Sequence, residues 1–248
     1  MSISIDVGIL TRGKATLGIA LTSLLLQEMA DIRITIVDTG DSPVIKREDV
    51  RFALKLAADM RIACEYRHIR ENDLAFSLGR LKVLEHCTGS HVCFMDDDVA
   101  LPSTALRRIA GWIEQNGVYG YVAPHCHNAN PLARRLLGPQ HFTPGSVFYQ
   151  DAPVRQALLE YYGSTVDVLD RKGNGDKVWE IAFLSQLFPS LGRRCEVQED
   201  NAVCHVDYGE RPNWNLLDRS HVQASLLKAR QMARRFAAAQ PEVNTSLV

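Results

Sequence analysis

The run HVCFMDDDVALP, residues 91–102, decides how this sequence is read. Five mostly apolar, β-branched or aromatic residues give a short buried strand, and it runs straight into Asp96-Asp97-Asp98 with no spacer. Adjacent carboxylates repel one another, so the cluster is costly at neutral pH unless a cation offsets it. In extended backbone, residues i and i+2 point to the same side. Asp96 and Asp98 can therefore share one ligand while Asp97 points away. Hard carboxylate oxygens suit Mg²⁺ or Mn²⁺, which keep positions open for phosphate oxygens. The plainer alternative is a solvated turn in which Asp98 or Ser103 caps the next helix.

Moving outward from this strand, the first half alternates strand and helix. Residues 3–10 read as a buried strand and 15–30 as a helix, with Leu17, Leu21, Leu24, Leu25 and Met29 at helical spacing. Residues 32–37 are a second strand, stopped by the turn cluster 38–43; 48–60 are a helix; 62–67 are a third strand; 74–87 are a helix. After the Asp cluster, 103–116 are helical and 118–123 return as a strand. This alternation implies βαβ units and a mainly parallel sheet flanked by helices. Ligands in such α/β folds bind at the carboxyl ends of the strands. Three of these ends carry suitable polar residues: Thr11, Asp38 and the pair Asp96/Asp98.

The second half is less regular. Residues 125–145 read as a long loop, 146–149 as a short strand, 153–162 as a helix and 163–175 as a glycine-rich loop. A helix over 176–187 is closed by Pro189 and Gly192; 194–197 and 202–206 are two short strands. The last helix, 216–239, sets leucines against Arg219, Lys228, Arg230, Arg234 and Arg235. With no repeat and no low-complexity linker, the expectation is one domain over 1–212 and an amphipathic helix and tail over 213–248. Within the domain, 1–123 form the nucleotide-binding half and 124–212 complete the site.

Composition excludes several classes. The 248 residues are 46% hydrophobic and 23% charged, with 28 Lys+Arg against 29 Asp+Glu, a net charge of -1. A disordered chain has less apolar material and more net charge. A protein that neutralises nucleic-acid phosphates shows a basic excess, so no nucleic-acid partner is expected. No apolar run reaches the roughly 18–20 residues of a membrane span. The N-terminus shows no basic segment leading into an apolar one, so a cytoplasmic protein is expected. Six scattered cysteines without a CxxC read as reduced thiols, mostly buried. Cys87, Cys93 and Cys204 in particular fall at expected core positions.

These elements together resemble the family 2 glycosyltransferases of the GT-A fold. The resemblance rests on ILTR (9–12), SLLLQ (23–27), ITIVD (34–38), HCTG (86–89) and VCFMDDDVALP (92–102), in that order and spacing. It continues more loosely through GSVFYQDAPVRQAL (145–158), DKVWEIAFLSQLFPSLG (176–192) and AVCHV (202–206). It implies an inverting, divalent-metal-dependent transferase moving a sugar from a nucleotide-diphosphate donor to an acceptor hydroxyl, in glycan, polysaccharide or glycoconjugate biosynthesis. Thr11 and Arg12 then line the nucleotide pocket, and Asp38 accepts a hydrogen bond from the base. Arg80, with Lys82 nearby, supplies positive charge. Asp96 and Asp97 face the donor, Asp96 and Asp98 bind Mn²⁺ or Mg²⁺, and His205 completes the metal shell.

Each assignment has a plainer counterpart. Asp38 can be a turn former, Arg80 and Lys82 a solvated helix face, and His205 a satisfied core histidine. The sequence also departs from the family pattern: Leu10 replaces a proline, Gly13-Lys14 replaces Asn-Arg, and Leu81 follows Arg80 in place of asparagine. No adjacent Glu-Asp pair marks the general base. Asp176 and Glu180, four apart on one helix face, are the two candidates; a helix-start acidic residue complementing the macrodipole is the alternative for Asp176.

His125-Cys126-His127 lacks the second ligand pair of a structural zinc site. Trp179 and Trp214 are candidates for stacking on a sugar, with core packing the better assignment for Trp179. The acceptor is a glycan, a lipid-linked molecule or a small molecule. The basic last helix is a solvated face, a peripheral contact with an anionic inner-membrane surface, or a homodimer contact. The missing Glu-Asp pair also admits a different class, a non-catalytic nucleotide- or glycan-binding partner subunit. A sugar nucleotidyltransferase is disfavoured, since LTRGKATLG (10–18) is not a glycine-rich phosphate loop.

Overall fold

A computed structural model of the chain describes residues 3–29, 31–69, 75–117, 119–126, 142–169, 176–206 and 219–239. The strands are β1 (Ile5–Thr11), β2 (Ile32–Asp38), β3 (Ala63–His68), β4 (His91–Asp96), β5 (Val99–Ala100), β6 (Tyr121–Cys126), β7 (Val147–Tyr149) and β8 (Cys195–His205). The helices are α1 (Leu17–Leu25), α2 (Glu48–Asp59), α3 (Ala75–His86), α4 (Ala105–Asn116), α5 (Ala152–Leu169), α6 (Asp176–Ser190) and α7 (Arg219–Ala238), with a 3₁₀ turn at Val44–Lys46.

The eight strands form one sheet in the order β3-β2-β1-β4-β7-β6-β8-β5. The β3-β2-β1-β4 half is wholly parallel. β7 runs antiparallel to β4 and β6, and β8 runs parallel to β6. Side-chain alternation sorts the apolar residues onto two faces. Ile5, Val7, Ile9, Ile34, Ile36, Cys93 and Met95 pack under α1, α2 and α4. Val37, Val92, Phe94 and Phe148 pack with α3, α5 and α6. Gly8 permits the close approach of α3, because a Cβ there would lie 2.1 Å from Val83 Cγ1. The strands thus bury both faces, as continuous apolar runs require.

Several expectations are corrected. The helix expected over 15–30 ends at Leu25. Gln27 leaves the helix to serve α4: its Oε1 accepts from Leu106 N and its Nε2 donates to Pro102 O. That same contact displaces the capping alternative, since α4 starts from Thr104, and neither Asp98 nor Ser103 is its cap. The two short strands at 194–197 and 202–206 are one strand, β8, with a register irregularity opposite Pro124/His125. The helix expected at 153–162 continues to Leu169, through the first part of the expected loop. The strand at 118–123 is displaced to Tyr121–Cys126.

α7 belongs to the second core through Ala233 and Phe236, and Phe236 meets Phe183 of α6 edge-on. Its Arg234 and Arg235 are exposed. Trp214 and His127 lie outside the described residues, as does the start of the expected 216–239 helix. Among the described residues no helix is long and apolar enough to cross a membrane.

None of the six cysteines forms a disulfide. Cys87 and Cys93 are buried as expected, but Cys204 is exposed. Strand alternation explains the error: Val203 and His205 face inward, which turns Cys204 outward. Burial pushes the Cys87 and Cys93 thiols up to about 12. Because the thiolate is the nucleophile, iodoacetamide at pH 8 is expected to modify Cys204 at least about a hundredfold faster than Cys87 or Cys93. Peptide mass spectrometry on the native protein checks this; comparable rates contradict the packing.

Candidate active site

Four chain segments meet at the carboxyl ends of β1 and β4. β4 delivers Asp96 to Asp98. The two-residue strand β5 follows at once and pairs antiparallel with the end of β8, setting Val99 opposite His205. Val206 N donates to Asp98 O at 2.6 Å, which locks the two ends together. The ligand atoms of Asp96, Asp98 and His205 consequently lie within 4.8 Å of one another. Asp96 is the most open of the three, with its side chain 14% exposed. Asp98 is 2% exposed and His205 8% exposed. The His205 ring is set by Cys126, whose Sγ lies 3.3 Å from Nδ1. The middle residue of the expected His-Cys-His run thus supports this site, while His125 pairs outside it with Glu199 at 2.9 Å.

Two carboxylates and one imidazole suit a divalent cation that accepts oxygen and nitrogen ligands. The fit has a specific mark: Asp98 Oδ1 is buried and has no hydrogen-bond partner among the described residues. A buried carboxylate oxygen without a partner is costly, and a cation there removes the cost. The other oxygen, Oδ2, accepts a hydrogen bond from Lys14 Nζ at 2.5 Å.

The loop after β1 is tied to the same cluster. Thr11 Oγ1 donates to Asp97 Oδ2 at 2.6 Å, and Thr16 Oγ1 donates to Asp97 O at 3.0 Å. Asp97 thus joins the loops after β1 and β4. Thr11 is 1% exposed and its hydroxyl also accepts from Gly13 N. Arg12 is exposed. Arg47, which the sequence did not single out, donates to the carbonyls of Gly13, Lys14 and Ala15 and pairs with Asp49.

Asp38 sits at the end of β2, beside Thr11 in register. Its carboxylate is fully buried. Oδ1 accepts from Gly40 N at 2.9 Å, and Oδ2 accepts from Val44 N at 2.8 Å and Tyr66 OH at 2.7 Å. In this arrangement Asp38 organises the turn after β2. Burial and the Asp38 carboxylate together push the Tyr66 phenol well above its usual value.

On the other side of Asp96 lies a buried polar chain. Arg80 Nη2 is 3.5 Å from Asp96 Oδ1, and Arg80 Nε donates to Glu180 Oε1 at 2.8 Å. Tyr162 OH donates to the same Glu180 oxygen. Arg80 is 3% and Glu180 5% exposed. Burial by itself lowers the Arg80 pKa, but Glu180, Tyr162 and Asp96 outweigh it and hold the guanidinium charged. The Arg80 plane also lies over Phe94, 4.7 Å from the ring centre. Lys82, by contrast, pairs with Glu85 on the outside of α3; two residues turn a helix by roughly 200°, away from Arg80. Asp176 opens α6, but its side chain and that of Trp179 lie outside the described residues.

The structure thus gathers Asp96, Asp98 and His205, and sets Arg80 and Glu180 beside them. It adds three residues that sequence reasoning missed: Lys14, Tyr162 and Cys126. Lys14 had a signal, since it occupies a departure from the family pattern. Tyr162 had none and Cys126 stood out only within the His125-Cys126-His127 run; the packing of α5 and β6 brings them in.

A parallel β3-β2-β1-β4 half, carboxylates at the end of β4 and a returning strand carrying histidine place the chain in the GT-A fold class. The chain belongs to that class's family 2: the family model Glycosyl transferase family 2 matches residues 7–156. Solved structures share the fold. The mannosyltransferase PcManGT from Pyrobaculum calidifontis, in complex with GDP-Man and Mn²⁺, is 19% identical with a TM-score of 0.58, over 95% of this chain and 73% of that one. S. aureus TarS is 13% identical with a TM-score of 0.57, over 82% of this chain and 36% of TarS. TarS 1-349 in complex with UDP-GlcNAc is 12% identical with a TM-score of 0.56, over 94% and 73%. The chain therefore spans only about a third of the first of these TarS chains. No curated protein sequence matches it.

Proposed function

We propose that this chain transfers a sugar, with inversion, from a nucleotide-diphosphate donor to an acceptor hydroxyl, using Mn²⁺ or Mg²⁺ held by Asp96, Asp98 and His205. The observation that carries the reading is the convergence of those three residues, one of which has a buried oxygen, Asp98 Oδ1, without a hydrogen-bond partner among the described residues. When bound, such an ion offsets negative charge on the departing diphosphate as a Lewis acid. Arg80, charged and pinned beside Asp96, adds positive potential at that point. Thr11 and Asp97 keep the loop after β1 rigid where the donor enters, and Arg12 stands exposed beside them.

Asp176 is the general base of this proposal. Glu180 is buried, and its carboxylate already takes hydrogen bonds from Arg80 and Tyr162. A base must reach the acceptor proton within hydrogen-bond distance, and those partners hold Glu180 away from that task. One base suffices for a single displacement, hence inversion. The acceptor is a glycan, lipid-linked or small-molecule hydroxyl, and the setting cytoplasmic, with α7 available for a peripheral membrane or homodimer contact.

A thermal-shift screen of UDP, GDP, dTDP and CMP conjugates, with and without Mn²⁺, tests the reading. A ligand at about a hundred times its Kd stabilises by about 2.7 kcal/mol, so one conjugate is expected to raise Tm by roughly 5–10 °C, and only with the ion. No ion-dependent shift with any conjugate overturns the donor-site reading. A shift without transfer to any acceptor supports the non-catalytic partner subunit instead.

A further inference from the structure

The candidate cation site carries a positive charge of the protein's own. Lys14 Nζ lies 2.5 Å from Asp98 Oδ2, on the same carboxylate whose Oδ1 has no hydrogen-bond partner among the described residues. The two partners differ in freedom: the Lys14 side chain is 40% exposed, the Asp98 side chain 3%. The Lys14 backbone is held from both sides. Gly13, at φ +92°, donates to Thr11 Oγ1, and Arg47 gathers the carbonyls of residues 13, 14 and 15. What can move is the four-carbon stem and its ammonium group.

We propose that Lys14 is a resident counter-ion. It neutralises Asp98 in the donor-free protein and moves to the donor's diphosphate when a divalent cation takes Asp98, so that cation and donor bind as a coupled pair. This rests on the donor and metal reading above. A dication and an ammonium cannot share one carboxylate without strong repulsion at such short separation. The cation alone must therefore break the Lys14–Asp98 pair with nothing gained in exchange from a donor. With a nucleoside diphosphate present, the displaced ammonium meets phosphate oxygens, for which a compact charge with three donors on a flexible stem is suited. Lys14 stands in the loop after β1, at the carboxyl ends of the strands, where such a ligand binds. Because the side chain is part-exposed, the move leaves no buried void.

The experiment measures free Mn²⁺ by electron paramagnetic resonance in titrations of the full chain, alone and with saturating UDP or GDP, each corrected by a protein-free titration for the Mn²⁺ that the nucleotide itself chelates. Wild type, Lys14→Met and Lys14→Arg are compared. Wild type is expected to bind Mn²⁺ at least about tenfold more tightly with one of the nucleotides present, and that nucleotide to bind reciprocally more tightly with Mn²⁺. Lys14→Met is expected to bind Mn²⁺ alone at least about tenfold more tightly than wild type and to lose about tenfold of the coupling, keeping the part that comes from direct contact of cation and diphosphate. Lys14→Arg keeps the charge and is expected to retain coupling. Equal Mn²⁺ affinity and equal coupling in wild type and Lys14→Met overturn the counter-ion role while leaving the metal reading in place. Absence of Mn²⁺ binding in every protein, with and without nucleotide, overturns both. Thermal melting of each variant confirms that the proteins compared are folded.

Discussion

Replacing Asp98 with alanine is expected to lower donor turnover by about three orders of magnitude while leaving the fold intact. The magnitude follows from a cation that contributes several kcal/mol to the transition state, with about 1.4 kcal/mol for each factor of ten. The residue is well placed to be decisive. Asp98 is 2% exposed, it converges with Asp96 and His205, and its Oδ1 has no hydrogen-bond partner among the described residues. The fold should tolerate the change, because the structural tie at this position is the backbone bond from Val206 N to Asp98 O, which alanine keeps. Removing one of three adjacent carboxylates also relieves repulsion. The expected result is a Tm within a few degrees of wild type, with the Mn²⁺-dependent thermal shift lost. Turnover within tenfold of wild type in the folded variant would sink the metal assignment.

The second large effect lies in the buried chain of Tyr162, Glu180, Arg80 and Asp96. Glu180→Ala removes the nearest carboxylate from a buried guanidinium, and breaking a buried pair from one side costs about 3–5 kcal/mol. For a chain of this length that lowers Tm by roughly 10 °C. Arg80 is only 3% exposed, so water cannot replace the lost partner. Glu180→Gln separates positioning from proton transfer. The amide still offers an oxygen to Arg80 and Tyr162, so a positioning residue retains more than about a tenth of wild-type turnover, whereas loss of a general base costs about 10²–10⁴-fold. A Glu180→Gln variant that is as stable as wild type and loses turnover in that range makes Glu180 the base and removes Asp176 from the role.

The contrast between these two carboxylates shows what was legible in the residues. HVCFMDDD marked the candidate site almost by itself, because an apolar strand ending in carboxylates leaves few uses for them. Asp176 and Glu180 share a helix face and looked equivalent. Their difference comes from α3 and α5, which bring Arg80 and Tyr162 onto Glu180 across separations of 100 and 18 residues. Asp38 shows the same limit. A strand-end aspartate suits both a ligand and a turn, and only the amides of Gly40 and Val44 with the Tyr66 hydroxyl show where its lone pairs go. Lys82 looked like Arg80 in charge and spacing, yet the helix turns it to solvent beside Glu85.

The alternating strands and helices, the parallel first half and the acidic end of β4 are all local features of the chain. These follow from local periodicity and from the repulsion of neighbouring charges, both of which are written in consecutive residues. Tertiary structure alone decided that β5 pairs with β8 and so carries His205 to Asp98, that Cys126 sets the histidine ring, and that Lys14 rather than a helix cap answers Asp98. The physical reason is range. A strand of two residues has no periodicity to read, and a hydrogen bond or ion pair between residues 79 or 84 positions apart has no spacing rule. Only the packed sheet makes such residues neighbours.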